Sequence, residues 1–200
     1  MNFDPEKLLT ALQSMPHSDA VIVGLSGGVD SIVLLHALHS LKQQGKVHFS
    51  FSALHVNHGL HAEAEVWKGF CEKFCNELDV PLVISKVHIE IAEPAKATGL
   101  ENAARDARYR AFESSLQSGK ALLLAHHLDD QLETFLLRLM RGSGTRGLAG
   151  IPRYRLLGDS FLFRPLLDFT RESLIAYARI QKLNWIEDNS NQDTRFDRNY

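Results

Sequence analysis

Apolar runs typical of buried strands alternate with amphipathic helical patterns along most of this chain. The first run, Ala20 to Leu25, is continuously apolar, as in a strand covered on both faces. Strands linked by helices pair in parallel, because a crossover returns the chain to the same edge of the sheet. The pattern therefore predicts an α/β fold, a parallel twisted sheet with helices on both faces. The predicted strands are 20–25, 46–56, 81–89 and 120–127, and the helices that follow them are 29–43, 62–78, 99–117 and 129–140.

Shorter elements flank this repeat. A helix is predicted over 5–14, a hairpin around a Gly158–Asp159 turn, and a last helix over 171–182. A length of 200 residues fits one domain, so residues 1–200 are predicted to form a single nucleotide-binding catalytic unit.

Composition excludes several classes of protein. The two cysteines, Cys71 and Cys75, do not make a disulfide framework and are predicted to be reduced thiols one helical turn apart. Neither a signal peptide nor an apolar run long enough for a membrane span is found, which predicts a cytoplasmic protein with no membrane partner. The net charge of −2 neither indicates nor excludes a nucleic-acid partner, and the oligomeric state stays open.

Polar residues follow three of the predicted strands. They occur at Ser26–Gly28, at His55–His58 and at His126–Asp130. In open α/β sheets ligands bind beyond the carboxyl ends of the strands, so these residues are predicted to line one site.

The segment S-G-G-V-D-S, residues 26–31, is predicted to cradle a phosphate. Glycines let the backbone approach an anion, Ser26 and Ser31 add hydroxyl donors, and a helix begins nearby with its N–H groups free. The lysine of the common nucleotide-binding loop is missing. Asp30 would repel a phosphate unless Mg²⁺ lies between them. The alternative is a glycine turn with a serine cap.

Three carboxylates lie close together at the start of the helix predicted over 129–140. Glu133 is three residues from Asp130 and four from Asp129, so one helical face presents two or three carboxylates. Such a cluster suits Mg²⁺ or an ammonium group, and a carboxylate can accept an amine proton. Asp30 and Asp130 are the predicted metal ligands. The alternative is an acidic helix start stabilised by the helix dipole.

Arginines form two further candidate sites. Arg105 and Arg108 are three apart and suited to phosphate, although they also fit a helix laced by Glu101–Arg105 pairing. Arg141 and Arg146 lie in a glycine-rich basic stretch that predicts contact with an RNA backbone, or a solvated loop.

Three histidines, His55, His58 and His61, occur at spacings of three. They favour a zinc site only weakly, because neither cysteine is expected nearby.

The S-G-G-V-D-S segment matches the signature of the PP-loop ATP pyrophosphatases. The resemblance implies an adenine-nucleotide α-hydrolase-like, Rossmann-like fold. It also implies that ATP is split between its α- and β-phosphates and that AMP passes to a carbonyl oxygen of the substrate.

Longer stretches together resemble the tRNA-isoleucine lysidine synthetase family. They are HVNHGL (55–60), ENAARDARY (101–109), AHHLDDQLETFLLRLMRGSGTRGLAGI (125–151), RPLL (164–167) and EDNSNQDTRFDRN (187–199). The resemblance implies that ATP adenylates C2 of the wobble cytidine in isoleucine tRNA with anticodon CAU, and that free L-lysine then displaces AMP.

The resemblance also suggests residue roles. Asp30, Arg105, Arg108 and Asp130 are the expected catalytic residues, with ATP and Mg²⁺ as cofactors. The expected ATP-binding residues are Ser26, Gly27, Gly28, Asp30, Ser31, Leu54, His55 and Val56. The expected residues for lysine and tRNA are Asp129, Asp130, Glu133, Arg141 and Arg146.

The family's proteins usually continue into C-terminal tRNA-binding domains, which are expected to be absent from this chain.

Two other functions stay open. A tRNA thiolase of the same superfamily is disfavoured, because its iron–sulfur members need a C-x-x-C pair. A non-catalytic adenine-nucleotide binding module would keep the glycine loop without needing the acidic and basic clusters.

Overall fold

The computed structural model describes residues 2–57, 63–87, 109–116, 119–142, 144 and 149–187. These residues contain a six-stranded sheet with strands β1 Ala20–Gly24, β2 Ser50–Asn57, β3 Leu82–Lys86, β4 Ala121–Leu123, β5 Tyr154–Leu157 and β6 Ser160–Phe163. The helices are α1 Pro5–Leu12, α2 Val29–Gln43, α3 Ala64–Glu77, α4 at 109–115, α5 Leu128–Met140 and α6 Arg171–Ile180.

The strands lie in the order β3-β2-β1-β4-β6-β5. All neighbours pair in parallel except β5 and β6, which form an antiparallel hairpin at one edge. Gly158 in the hairpin turn has φ +58, a conformation that glycine adopts without strain. The parallel sheet and the hairpin are both confirmed.

Helices cover both faces of the sheet. Val21 and Val23 belong to a cluster with α1, α2 and α6, whereas Ile22 belongs to a second cluster with Phe112 of α4. Successive strand residues point to opposite faces, so this division shows one helical layer on each side. The first cluster is much the larger, because eight apolar residues of α2 are buried in it.

The fourth strand differs from its prediction. The apolar run predicted a strand over 120–127, but β4 contains only Ala121–Leu123. Leu124 still donates to Phe163 O, and the chain then leaves the sheet. The His127 N–H donates to the Asp130 carboxylate, and the Leu128 N–H donates to Phe169 O. The polar residues that follow β4 therefore lie in a turn that leads into α5.

The helix predicted over 29–43 has its predicted bounds, and the other predicted elements differ at their ends. The second strand begins at Ser50 rather than at 46, and of the helix predicted over 99–117 the structure describes a helical segment at 109–115. No helix in the described ranges is both long enough and apolar enough to cross a bilayer.

Truncation of Leu122 tests the central position of β4. Leu122 is fully buried, whereas Leu156 on the edge strand is 68% exposed. We expect Leu122→Ala to lower the free energy of unfolding by about 2–5 kcal/mol, through lost burial and a residual cavity. Leu156→Ala, the matched control, should change it by less than about 0.5 kcal/mol. Equal losses in urea unfolding experiments would contradict the strand order.

Candidate active site

The loop between β1 and α2 is held in shape by its own serines. Buried Ser31 accepts a hydrogen bond from the Ser26 N–H at 3.2 Å and donates to Gly28 O at 2.9 Å. The Ser26 hydroxyl is exposed, lies 3.1 Å from Ser31 Oγ and accepts from the Gly28 N–H at 3.3 Å. Ser31 therefore serves the internal structure of the loop, and Ser26 is the serine that faces outward.

The two glycines of the loop differ in backbone conformation and in the space available for a side chain. Gly27 has φ +90, and a Cβ there would lie 2.7 Å from Ile186 Cδ1. Gly28 has φ −70 and ψ 158, which any residue adopts, and the nearest atom to a Cβ there is 3.5 Å away. Gly27 is needed by the fold itself. Gly28 is needed only if a ligand approaches the backbone closely.

Residues near 186 close one side of the loop. The Ile186 N–H donates to Gly27 O at 2.9 Å, although the two residues are far apart in sequence. This contact fixes the peptide between the two glycines. The residue spacing that predicted the loop carries no sign of it.

The amino end of α2 points towards the loop. Gly28 is the N-cap, and it supplies no side-chain hydrogen bond to the first turn. An uncapped helix start presents N–H groups and a positive dipole end, which attract an anion. The predicted phosphate cradle is therefore consistent with the local geometry.

Asp30 lies in the first turn of α2, largely buried. Its Oδ1 is buried and has no hydrogen-bond partner among the described residues, whereas its Oδ2 lies 3.6 Å from His127 Nε2. Burial raises the pKa of Asp30 above its ordinary value of 3.8, and the charges of His127 and Arg171 oppose that rise. The buried Oδ1 is thus an acceptor that a cation could satisfy.

His127 lies among three carboxylates. Its Nδ1 is 3.5 Å from Asp129 Oδ2 and 3.6 Å from Asp130 Oδ2, and its Nε2 faces Asp30. The imidazole ring therefore lies between the two predicted metal ligands, Asp30 and Asp130. Sequence reasoning gave His127 no such role, although its place beside the acidic pair was a usable signal.

The carboxylates at the start of α5 have different partners. Asp129 is more than half exposed and accepts from the Arg171 N–H at 2.7 Å, which links the starts of α5 and α6. Asp130 is mostly buried and accepts from the His127 N–H at 2.8 Å. Glu133 is half-buried on the same helix.

The backbone of Leu54–Val56 borders the loop. The ladder between β1 and β2 ends at Gly24 and Leu54, and the Leu25 N–H donates to Leu54 O. Alternate residues of a strand direct their backbone groups to the same neighbour, so Val56 presents its amide and carbonyl just beyond the end of β1. His55 is buried with Nδ1 2.9 Å from Leu25 O, and burial lowers its pKa.

The expectation that no cysteine lies near these histidines is wrong. Cys71 Sγ lies 3.5 Å from His55 Nδ1. Burial raises the pKa of the Cys71 thiol to about 12 and that of Cys75 to about 11, so both stay protonated. No group of three or more His, Cys, Asp or Glu side chains suited to a metal occurs in the described part of the chain.

The described residues include only one of the four predicted site arginines. Arg141 is exposed just after α5. Arg105, Arg108 and Arg146 lie outside the described residues, as do His58 and His61. A buried arginine that sequence reasoning passed over, Arg164 of the R-P-L-L stretch, contacts His126 Nδ1 at 3.1 Å.

Alanine substitutions test whether the fold requires glycine at each of the two loop positions. We expect Gly27→Ala to cost at least about 1–2 kcal/mol of stability, because its φ is positive and Ile186 occupies the space of a Cβ. Gly28→Ala should leave stability unchanged or raise it by up to about 1 kcal/mol. Urea unfolding of both variants measures the difference. A stable Gly27→Ala protein would show that the contact with Ile186 is not formed.

Sequence comparisons agree with this geometry. A family model described as a PP-loop domain matches residues 2–200. A tRNA(Ile)-lysidine synthase of Photorhabdus laumondii is 44% identical over 199 residues, which is 100% of this chain and 44% of that protein. One of Pseudomonas aeruginosa is 48% identical over 194 residues, 97% of this chain and 42% of that protein. The chain thus spans less than half the length of these relatives.

Solved structures share the fold at low sequence identity. A U34-tRNA thiolase from Methanococcus maripaludis aligns with a TM-score of 0.72 at 20% identity, over 92% of this chain and 64% of that one. An NMN synthetase from Francisella tularensis aligns with a TM-score of 0.60 at 14% identity, over 92% and 73%. With the family match extending over residues 2–200, the chain belongs to the family of PP-loop domains.

Proposed function

We propose that this chain carries the nucleotide-binding and catalytic part of an ATP-dependent ligase that joins lysine to C2 of the wobble cytidine in isoleucine tRNA. The observation that carries the proposal is the similarity to tRNA(Ile)-lysidine synthases at 44–48% identity over 97–100% of this chain. A site with an open helix start and buried carboxylates supports it.

ATP is proposed to lie across the carboxyl ends of β1 and β2. Its phosphates would meet the start of α2, where Gly28 leaves room and Ser26 offers an outward hydroxyl. Its adenine would meet the backbone of Leu54–Val56, beyond the end of the β1 ladder. The phosphate site needs no lysine side chain in the loop, because the γ-phosphate is not transferred.

Asp30 is the residue that best fits Mg²⁺. Its buried Oδ1 has no described partner, and Mg²⁺ in nucleotide sites takes one or two carboxylates with phosphate oxygens. When bound, the ion would neutralise the phosphate charge beside Asp30. Asp130 is the second proposed ligand, although the ring of His127 lies between the two carboxylates.

The proposed reaction has two displacements. The cytidine C2 oxygen attacks the α-phosphorus of ATP, and pyrophosphate leaves with the electrons of the broken P–O bond. The lysine ε-amine then attacks C2, the C2–O bond breaks and AMP leaves. Arg105 and Arg108 are proposed to stabilise the phosphate charges.

The acidic cluster is proposed to handle lysine. Asp130 and Glu133, with Asp129 at the rim, would hold its ammonium group, and one carboxylate would take the proton that the attacking amine loses. Arg141 and Arg146 are proposed to contact the tRNA backbone, with anticodon CAU in the site.

Release of AMP tests the proposed function. The chain is incubated with α-labelled ATP, Mg²⁺, lysine and unmodified isoleucine tRNA, and labelled AMP is followed. We expect AMP only when tRNA and lysine are both present. Asp30→Asn should lower the rate at least about 100-fold, because the cation beside the phosphates is lost.

The control for that variant is Asp19→Asn. Asp19 is 95% exposed and precedes β1 at the opposite end of the strand, so its substitution should leave AMP formation unchanged. If ATP binds but no AMP is released, both with this chain and with a longer chain of the relatives' length, the result would favour a binding module instead.

Lysine affinity tests the acidic cluster. Asp130→Asn keeps an oxygen for the His127 N–H but removes the charge, so we expect KM for lysine to rise about 10- to 100-fold. A smaller rise in KM for ATP is expected from its second proposed role as a Mg²⁺ ligand. Asp19→Asn is the control here as well, since Asp19 is 95% exposed at the opposite end of β1. A rise in KM for ATP with no rise in KM for lysine would leave Asp130 with the metal role alone and overturn its role in holding lysine.

A further inference from the structure

Arg164 is a buried charged residue directly after β6. Only 3% of it is exposed, and its backbone N–H donates to Arg153 O at 2.9 Å. Its guanidinium donates through Nη1 to Pro152 O at 2.6 Å and through Nη2 to Tyr109 Oη at 3.3 Å. Two anchors on different chain segments fix the plane of this group.

The Nε–H donor of this fixed plane points at His126. Arg164 Nε lies 3.1 Å from His126 Nδ1. An arginine side chain keeps all its protons, so Nε donates and Nδ1 must accept. A neutral imidazole that accepts at Nδ1 carries its proton on Nε2.

His126 occupies the turn between β4 and α5, next to His127 and the acidic cluster. It is half-buried, and its Nε2 lies on the side of the ring away from Nδ1. Leu124 N–H donates to Phe163 O just before, so β4 and β6 are tied together beside the two side chains. Arg164 therefore reaches the candidate active site from the sheet behind it.

We propose that Arg164 is a positioning residue that holds His126 as the neutral Nε2–H form, so that His126 acts as a hydrogen-bond donor and not as a base. This inference rests on the proposed function only for its catalytic consequence. The proton from the attacking lysine then goes to a carboxylate of the acidic cluster, because neither nitrogen of His126 can accept it.

The protonation form of His126 is measured directly by NMR. The ¹⁵N shifts of both ring nitrogens are recorded at pH 8 in the chain without ATP or tRNA, and His126→Gln assigns the signals. We expect the Nε2–H form in the wild-type chain. A proton on Nδ1, or an even mixture of both forms, overturns the inference whether or not the chain is active.

Variants separate this role from general structural support. Arg164→Met should release the ring, so that the Nδ1–H form becomes populated, and Arg164→Lys should retain part of the Nε2–H form. Arg155→Met is the matched control, because Arg155 is exposed and its described contact is with the ring of Tyr109, at 5.2 Å. It should leave the ¹⁵N pattern unchanged.

Kinetics then test the consequence. We expect Arg164→Met to lower kcat for AMP formation about tenfold, which corresponds to about 1.4 kcal/mol, with KM for ATP changed less than about twofold. Unchanged kcat together with an altered ¹⁵N pattern would overturn the positioning role. If wild-type AMP formation is absent both in this chain and in a longer chain of the relatives' length, the proposed function fails while the NMR result still decides the form of His126.

Discussion

Parallel pairing of β1 with β2 on one side and with β4 on the other is the constraint on which the site depends. Because β1 lies between them, the residues that follow these strands meet at one edge although they are far apart in sequence. The glycine loop, the backbone at Val56 and the acidic start of α5 all owe their proximity to this order. A different strand order would scatter them without changing any local element.

The site that this strand order creates contains a feature that lowers the stability of the fold. The Asp30 carboxylate is buried with one oxygen lacking a described partner, and burial raises its pKa. A folded chain keeps such an unfavourable feature where a ligand compensates for it, and Asp30 lies in the segment proposed to hold nucleotide and Mg²⁺. The large core around α2 supplies the stability that offsets it.

Buried polar side chains set the finer geometry of the site. His127 is flanked by Asp30, Asp129 and Asp130, and His126 by Arg164. The two adjacent histidines therefore have opposite surroundings, one acidic and one basic. Adjacent residues in a turn point in different directions, so identical side chains acquire different properties.

Apolar periodicity and glycine placement are local signals, so the fold class, most elements and the glycine loop between β1 and α2 follow from the sequence alone. The rule for parallel sheets likewise brings Asp30, Asp129, Asp130 and Glu133 near one edge. Folding in three dimensions is what ends β4 at Leu123 and brings Ile186 over Gly27, Cys71 to His55 and Arg164 to His126. These contacts join residues distant in sequence, and spacing along a chain carries no information about such pairs.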